Sequence, residues 1–184
     1  MFGWLFKKKR EQDLQFAATL MRAAAEGAQR GAERSKVERA IATLGLEINS
    51  ESDNKDFCLK AVVAIVRDLA KSAERSPTWL DDDNRFLAGI FAFTFSNALS
   101  YRLAVSFELT ASTSTFMLIS AGDRESMEHD MRDIDEIGAS YNRMGKEGRV
   151  IEAIGTTFSK WLVRPTNENY ASLVELYRLL GNHI

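Results

Sequence analysis

Glu125, His129 and Asp133 stand at four-residue steps, a spacing that puts an imidazole and two carboxylates on one face of a helix as a partial ligand set for a divalent metal. Glu128, Asp130 and Asp135 lie close by in sequence. A helical metal centre needs further carboxylates, or a Glu-x-x-His step, from neighbouring helices. The chain has two histidines, and the second, His183, is far from the first. A solvated acidic face carrying one histidine makes fewer demands, because charge-rich helix faces normally point to water. A metal-dependent enzyme centred on His129 with Glu125 and Asp133 as ligands is therefore the alternative reading.

Other chemistry is weakly represented. The single cysteine, Cys58, sits among Phe57, Leu59, Ala61 and Val62, the setting of a buried structural thiol rather than a nucleophile. No Gly-x-Ser-x-Gly elbow occurs. Gly145-Lys146-Glu147-Gly148 lacks the Gly-x-x-x-x-Gly-Lys-Ser/Thr spacing that wraps phosphates. Trp79, Trp161, Tyr141, Tyr170 and Tyr177 fall at spacings that suit packing positions. No cofactor is expected from any of these patterns.

The most distinctive local chemistry lies at the start of the chain, where Phe2, Trp4, Leu5 and Phe6 precede Lys7, Lys8, Lys9 and Arg10. Aromatic rings favour a membrane interface, and each basic residue near an anionic leaflet adds on the order of 1 kcal/mol. Docking of the same segment into its own core or a sister subunit is the plainer reading. A nucleic-acid arm ranks lower, since few other basic residues are near. The chain has a net charge of −2, but residues 1–46 hold nine Lys or Arg against five Asp or Glu. The remainder is acidic, so only the first quarter suits an anionic partner.

These features need elements to position them. Residues 11–46 are rich in Ala, Arg, Glu and Gln and lack proline, which predicts one long first helix stopped near Gly45. Glu26 with Arg30 and Arg34 with Glu38 are spaced as helix ion pairs. Leu14, Ala17, Met21, Ala24, Ala28 and Ala32 form a thin stripe of mostly small residues, and a helix with so little to bury needs a partner. Gly27 and Gly31 either permit close helix packing, as in a dimer, or merely loosen the helix.

Phe57, Ala61, Val62, Ile65, Val66 and Leu69 predict a second helix, ended at Ser76-Pro77. Asp81, Asp82 and Asp83 suit the start of the next. From Phe86 to Ala121 two periodicities compete. Leu87, Phe91, Phe95 and Ala98 step as a helix, whereas Phe91, Phe93 and Phe95, then Leu103, Val105, Phe107 and Leu109, alternate as strands. Helix is favoured, with Thr110 and Ser112 to Thr115 marking a break or a hairpin turn. Polar residues dilute this stretch too much for a membrane span. Further helices are expected from Asp123 to Met144, from Arg149 to Leu162, and from Thr166 to Gly181.

The expectation is an all-α, single-domain bundle of about six helices, with α+β as the alternative if 86–121 forms an antiparallel hairpin. It comprises an aromatic and basic tip, residues 1–10, and a helical domain, residues 11–184. The lone cysteine and the lack of a secretory pattern suit the cytoplasm, with peripheral membrane attachment as a variant. The function expected is a non-enzymatic interaction or adaptor protein that binds a protein partner, a second copy or an anionic membrane surface; nucleic acid is disfavoured.

Overall fold

A computed structural model describes residues 3–48, 53–74, 82–119, 132 and 146–181. Among these the chain forms six α-helices and no strand: α1 (Gly3–Ala42), α2 (Asn54–Ser72), α3 (Asp82–Leu103), α4 (Phe107–Ile119), α5 (Lys146–Val163) and α6 (Asn167–Gly181). The bundle is all-α, as the helical periodicities predict.

Local chemistry sets the helix ends. Gly45, at φ +69°, supplies the left-handed turn after α1. Asp53 caps α2, its carboxylate accepting the Asp56 backbone N–H at 2.8 Å. That helix stops at Ser72, before the proline expected to end it, with the Ala73 and Glu74 amides donating back to the Leu69 and Lys71 carbonyls. Thr166 starts α6 as expected, its hydroxyl accepting the Asn169 N–H at 3.3 Å.

α3 is the central element, packed against α1, α2, α4, α5 and α6. Leu87, Ala88, Phe91, Ala92, Phe95, Ser96 and Leu99 are all fully buried. A helix enclosed on nearly every side has no polar face, so its sequence satisfies a strand-like alternation as readily as a helical one. This is why residues 86–121 read ambiguously. The hairpin alternative does not form, and the break falls at Ala104–Ser106 rather than in the hydroxyl run. Ala104 adopts φ +53°, and the Val105 amide donates to the Ser100 carbonyl at 3.1 Å.

The hydroxyl residues stay helical because they bond within the bundle. Thr110 donates to the Ser106 carbonyl at 2.7 Å and Ser114 to that of Ala111 at 3.1 Å. Ser114 and Ser96 share a hydrogen bond of 3.0 Å between α4 and α3. Polar side chains paired this way cost little to bury.

Aromatic packing ties α5 and α6 to the centre. Phe95 and Phe158 stack with centroids 3.9 Å apart, Phe158 touches Trp161, and Tyr177 lies 4.7 Å from Phe91. The Tyr170 hydroxyl donates to Asp68 of α2, and burial together with that carboxylate pushes the phenol pKa upward. Trimming Phe158→Ala removes the stack and leaves a cavity at a fully buried site. It is expected to cost about 3–5 kcal/mol, read as a lowered urea midpoint at unchanged slope.

Candidate functional site

α1 is forty residues long, about 60 Å at 1.5 Å per residue, and its C-terminal end joins the core. Val37, Ala40 and Ile41 are buried there. Every residue from Thr19 to Ala32 is exposed, which covers about four turns on all faces of the helix. Leu20 and Met21 are 55% and 74% exposed. Beyond them α1 continues unbroken to Gly3, so Trp4, Leu5, Phe6, Lys7, Lys8, Lys9 and Arg10 belong to its first turns. Phe2 lies outside the described residues.

Two arginines form a collar where the helix leaves the body. Arg102 of α3 donates from Nη1 to Glu33 Oε2 at 2.9 Å. The Lys36 ammonium also bonds Glu33, and Lys36 first, with Arg102, holds that carboxyl below its usual pKa despite some desolvation. Arg34 donates to Glu38 at 2.9 Å and to Asn54 Oδ1 at 3.2 Å, with its guanidinium 4.5 Å from the Phe57 ring centroid. Asn54 Nδ2 donates to the Leu103 carbonyl at 3.4 Å, linking α2 to the end of α3.

Above the collar, α1 satisfies itself locally. Arg30 pairs with Glu26 at 3.2 Å, and Thr19 donates to the Gln15 carbonyl. A Cβ added at Gly27 or Gly31 would meet nothing within 4 Å. The two glycines therefore make no close packing with the described residues.

Among the described residues two hollows are lined in part by α1, and a third lies away from it. Ile41, Ala42, Leu46, Ile48 and Phe57, with Glu38 and Glu47 at the rim, line one of about 640 Å³ at the C-terminal end of α1. A second of about 840 Å³ lies between Gln29 and Glu33 of α1 and Asn97, Tyr101 and Arg102 of α3. The third, about 780 Å³, runs between α3 and α5 past Thr94, Gly155, Lys160 and Arg164.

No family model, curated protein or solved structure matches this chain. The site must be read from its own geometry. The expected ligand set of Glu125, His129 and Asp133 lies outside the described residues. Among the described residues no three His, Cys, Asp or Glu side chains converge as metal ligands, and no helix is long and apolar enough to cross a membrane.

Cys58 is buried, and desolvation pushes its thiol up to about 11, only partly offset by the nearby Ser100 and Thr110 hydroxyls. Ser100 Oγ itself falls short of hydrogen-bond geometry with any partner. Such a thiol is a packing group. The sequence did not reveal the collar, because Glu33 and Arg102 are distant in the chain and neither has a local pattern that names the other.

The cysteine gives a pH test. Below the ordinary thiol value of 9 both folded and unfolded states keep the proton, and stability is intact. Between pH 9 and about 11 the unfolded chain ionises while the folded one does not. Unfolding free energy is expected to fall by roughly 2–3 kcal/mol over that window, and Cys58→Ala to remove that part of the slope. Native protein should also resist a thiol reagent at pH 8 and react once unfolded in guanidinium.

Proposed function

We propose that this chain is a non-enzymatic helical interaction module that attaches to its partner through α1, with the α2–α6 bundle as the body being positioned. The observation that supports this most directly is the exposure of Thr19 to Ala32 on every face of a helix whose C-terminal end is anchored in the core. An alanine-rich helix of this kind gains little from its own burial and is completed by packing on something else. The collar of Arg102 and Arg34 fixes where the arm leaves the body, so whatever α1 binds is held in a defined direction.

Removing residues 1–30 leaves the buried anchor of Val37, Ala40 and Ile41 in place. The shortened chain is expected to keep the cooperative melt of the body and to lose association, measured as solution mass alone and as co-sedimentation with vesicles. Identical behaviour of the two chains in both assays would retire the reading.

The composition of the tip favours a second reading, in which its aromatic and basic residues rest on an anionic membrane surface. Phosphatidylserine vesicles should then bind the full chain more tightly than one starting at Glu11, with the difference shrinking as salt rises. Equal binding of the two removes this version.

A further inference from the structure

We infer that the hollow between α3 and α5 binds a small organic anion, with a phosphate or carboxylate head held by Lys160 and Arg164 and an apolar body lying over Gly155 and Ala98. This goes beyond the attachment reading and does not rest on it, since the hollow belongs to the body of the bundle.

Its size and lining suit such a ligand. The hollow of about 780 Å³ falls within the range of roughly 300–1,000 Å³ that small-molecule sites occupy. It shares Asn97, Ala98 and Ser159 with the hollow of about 840 Å³ beside Glu33 and Arg102, so the two join as one groove across α3. α5 and the residue after it line the groove with two adjacent rows at four-residue steps. Ile151, Gly155, Ser159 and Val163 form an apolar and small row, and Glu152, Thr156, Lys160 and Arg164 a polar one. Small residues keep the groove open. A Cβ at Gly155 would already meet Thr94 Cγ2 at 3.5 Å, and a longer side chain there would extend into the space. Val163, 72% exposed at the cationic end, is a large apolar side chain that the fold leaves uncovered.

Charge selects the class of ligand. Three cations line the joined groove among the described residues, and one of them, Arg102, is already neutralised by Glu33 at 2.9 Å. Lys160 and Arg164 have no ion pair among the described residues, and the Asn97, Thr156 and Ser159 side chains on the same hollow make no hydrogen bond there. Arg164 keeps the helical bond to the Lys160 carbonyl at 3.0 Å, so the two cations stand one turn apart on one side of α5. Like charges at this spacing destabilise a bare helix, and an anion shared between them relieves the repulsion. Glu152, the acid of the row, is eight residues from Lys160, about 12 Å along the axis and beyond the Debye length of about 8 Å at physiological salt.

The corner that carries Arg164 is fixed in advance. Its carbonyl accepts from the Thr166 amide and from Asn169 Nδ2, both at 2.8 Å, and Pro165 follows it. A guanidinium on a pinned backbone loses less freedom on binding. Cations in the last turns of a helix also complement its dipole, but that role needs neither the hollow nor the uncommitted hydroxyl and amide groups around it.

Octyl phosphate, octanoate and octanol share a tail and differ in the head. Each is titrated below its micelle-forming concentration into the isotope-labelled full chain, with binding read from backbone amide NMR shifts. Both anions are expected to shift Ala98, Gly155 and Ser159 and to bind about tenfold or more tighter than octanol; the tighter of the two identifies the head. Lys160→Gln combined with Arg164→Gln, both exposed positions, is expected to weaken the anions about tenfold and leave octanol and the melt unchanged. Glu152→Gln should hold the anion affinities within about twofold, and Gly155→Leu should weaken all three probes. Octanol binding as tightly as the anions, or anions that bind the double variant as well as the native chain, would overturn the site. So would shifts confined to other faces, or none at millimolar probe. The attachment reading stands in each case, because it is decided by residues 1–30.

Discussion

Phe95 lies flat against Phe158 at the middle of the bundle, and the helix that carries Phe95 is enclosed by five others. Burial of α3 is the constraint on which the other elements depend. A helix enclosed on nearly every side, though open at Asn97 and Tyr101, must be supplied with apolar neighbours elsewhere, and α2, α4, α5 and α6 each commit one face to it. Its few polar side chains are tied off internally, Thr94 to the Ile90 carbonyl at 2.8 Å and Ser96 to Ser114. With that demand met largely by the other helices, α1 contributes its last turns to the core, and the stretch from Thr19 to Ala32 is left to solvent.

That division of labour explains the contrast between the two ends of α1. Near the body the helix is held by burial of Val37 and Ile41 and by ion pairs of intermediate exposure, where charge and desolvation offset each other. From Thr19 to Ala32 the exposed helix relies on propensity and on pairs such as Glu26 with Arg30, each adding a few tenths of a kcal/mol. Propensity keeps such a segment helical but gives it no tertiary preference.

Much of the fold was legible in the sequence because amphipathic helices declare themselves. α2, α5 and α6 each bury the apolar residues that their spacing predicts, among them Phe57, Ile65 and Leu69, then Ile154, Phe158 and Trp161, then Leu173 and Tyr177. α3 was ambiguous for a physical reason: near-complete enclosure removes the polar face that separates one periodicity from another. The hydroxyl run of α4 misled because Ser and Thr have poor propensity, whereas inside a bundle they bond the carbonyl one turn back. For the candidate site, composition marked residues 2–10 as unusual, and alanine content marked α1 as needing a partner. The Arg102–Glu33 and Arg34–Phe57 contacts were invisible, since they join residues that only the fold brings together.

The absence of a break in α1 has a further consequence. Because the helix runs from Gly3 through the collar at Glu33 without interruption, its far end is fixed in phase as well as in distance, about 45 Å away along the axis. Length and azimuth are coupled at about 100° per residue. Evolution can lengthen such an arm by whole heptads, about 10 Å at a time, and keep the same face forward. A change of two residues would swing the tip to the other side of the molecule. The arm behaves as a ruler with a thread cut into it, so insertions there are tolerated by multiples rather than by number.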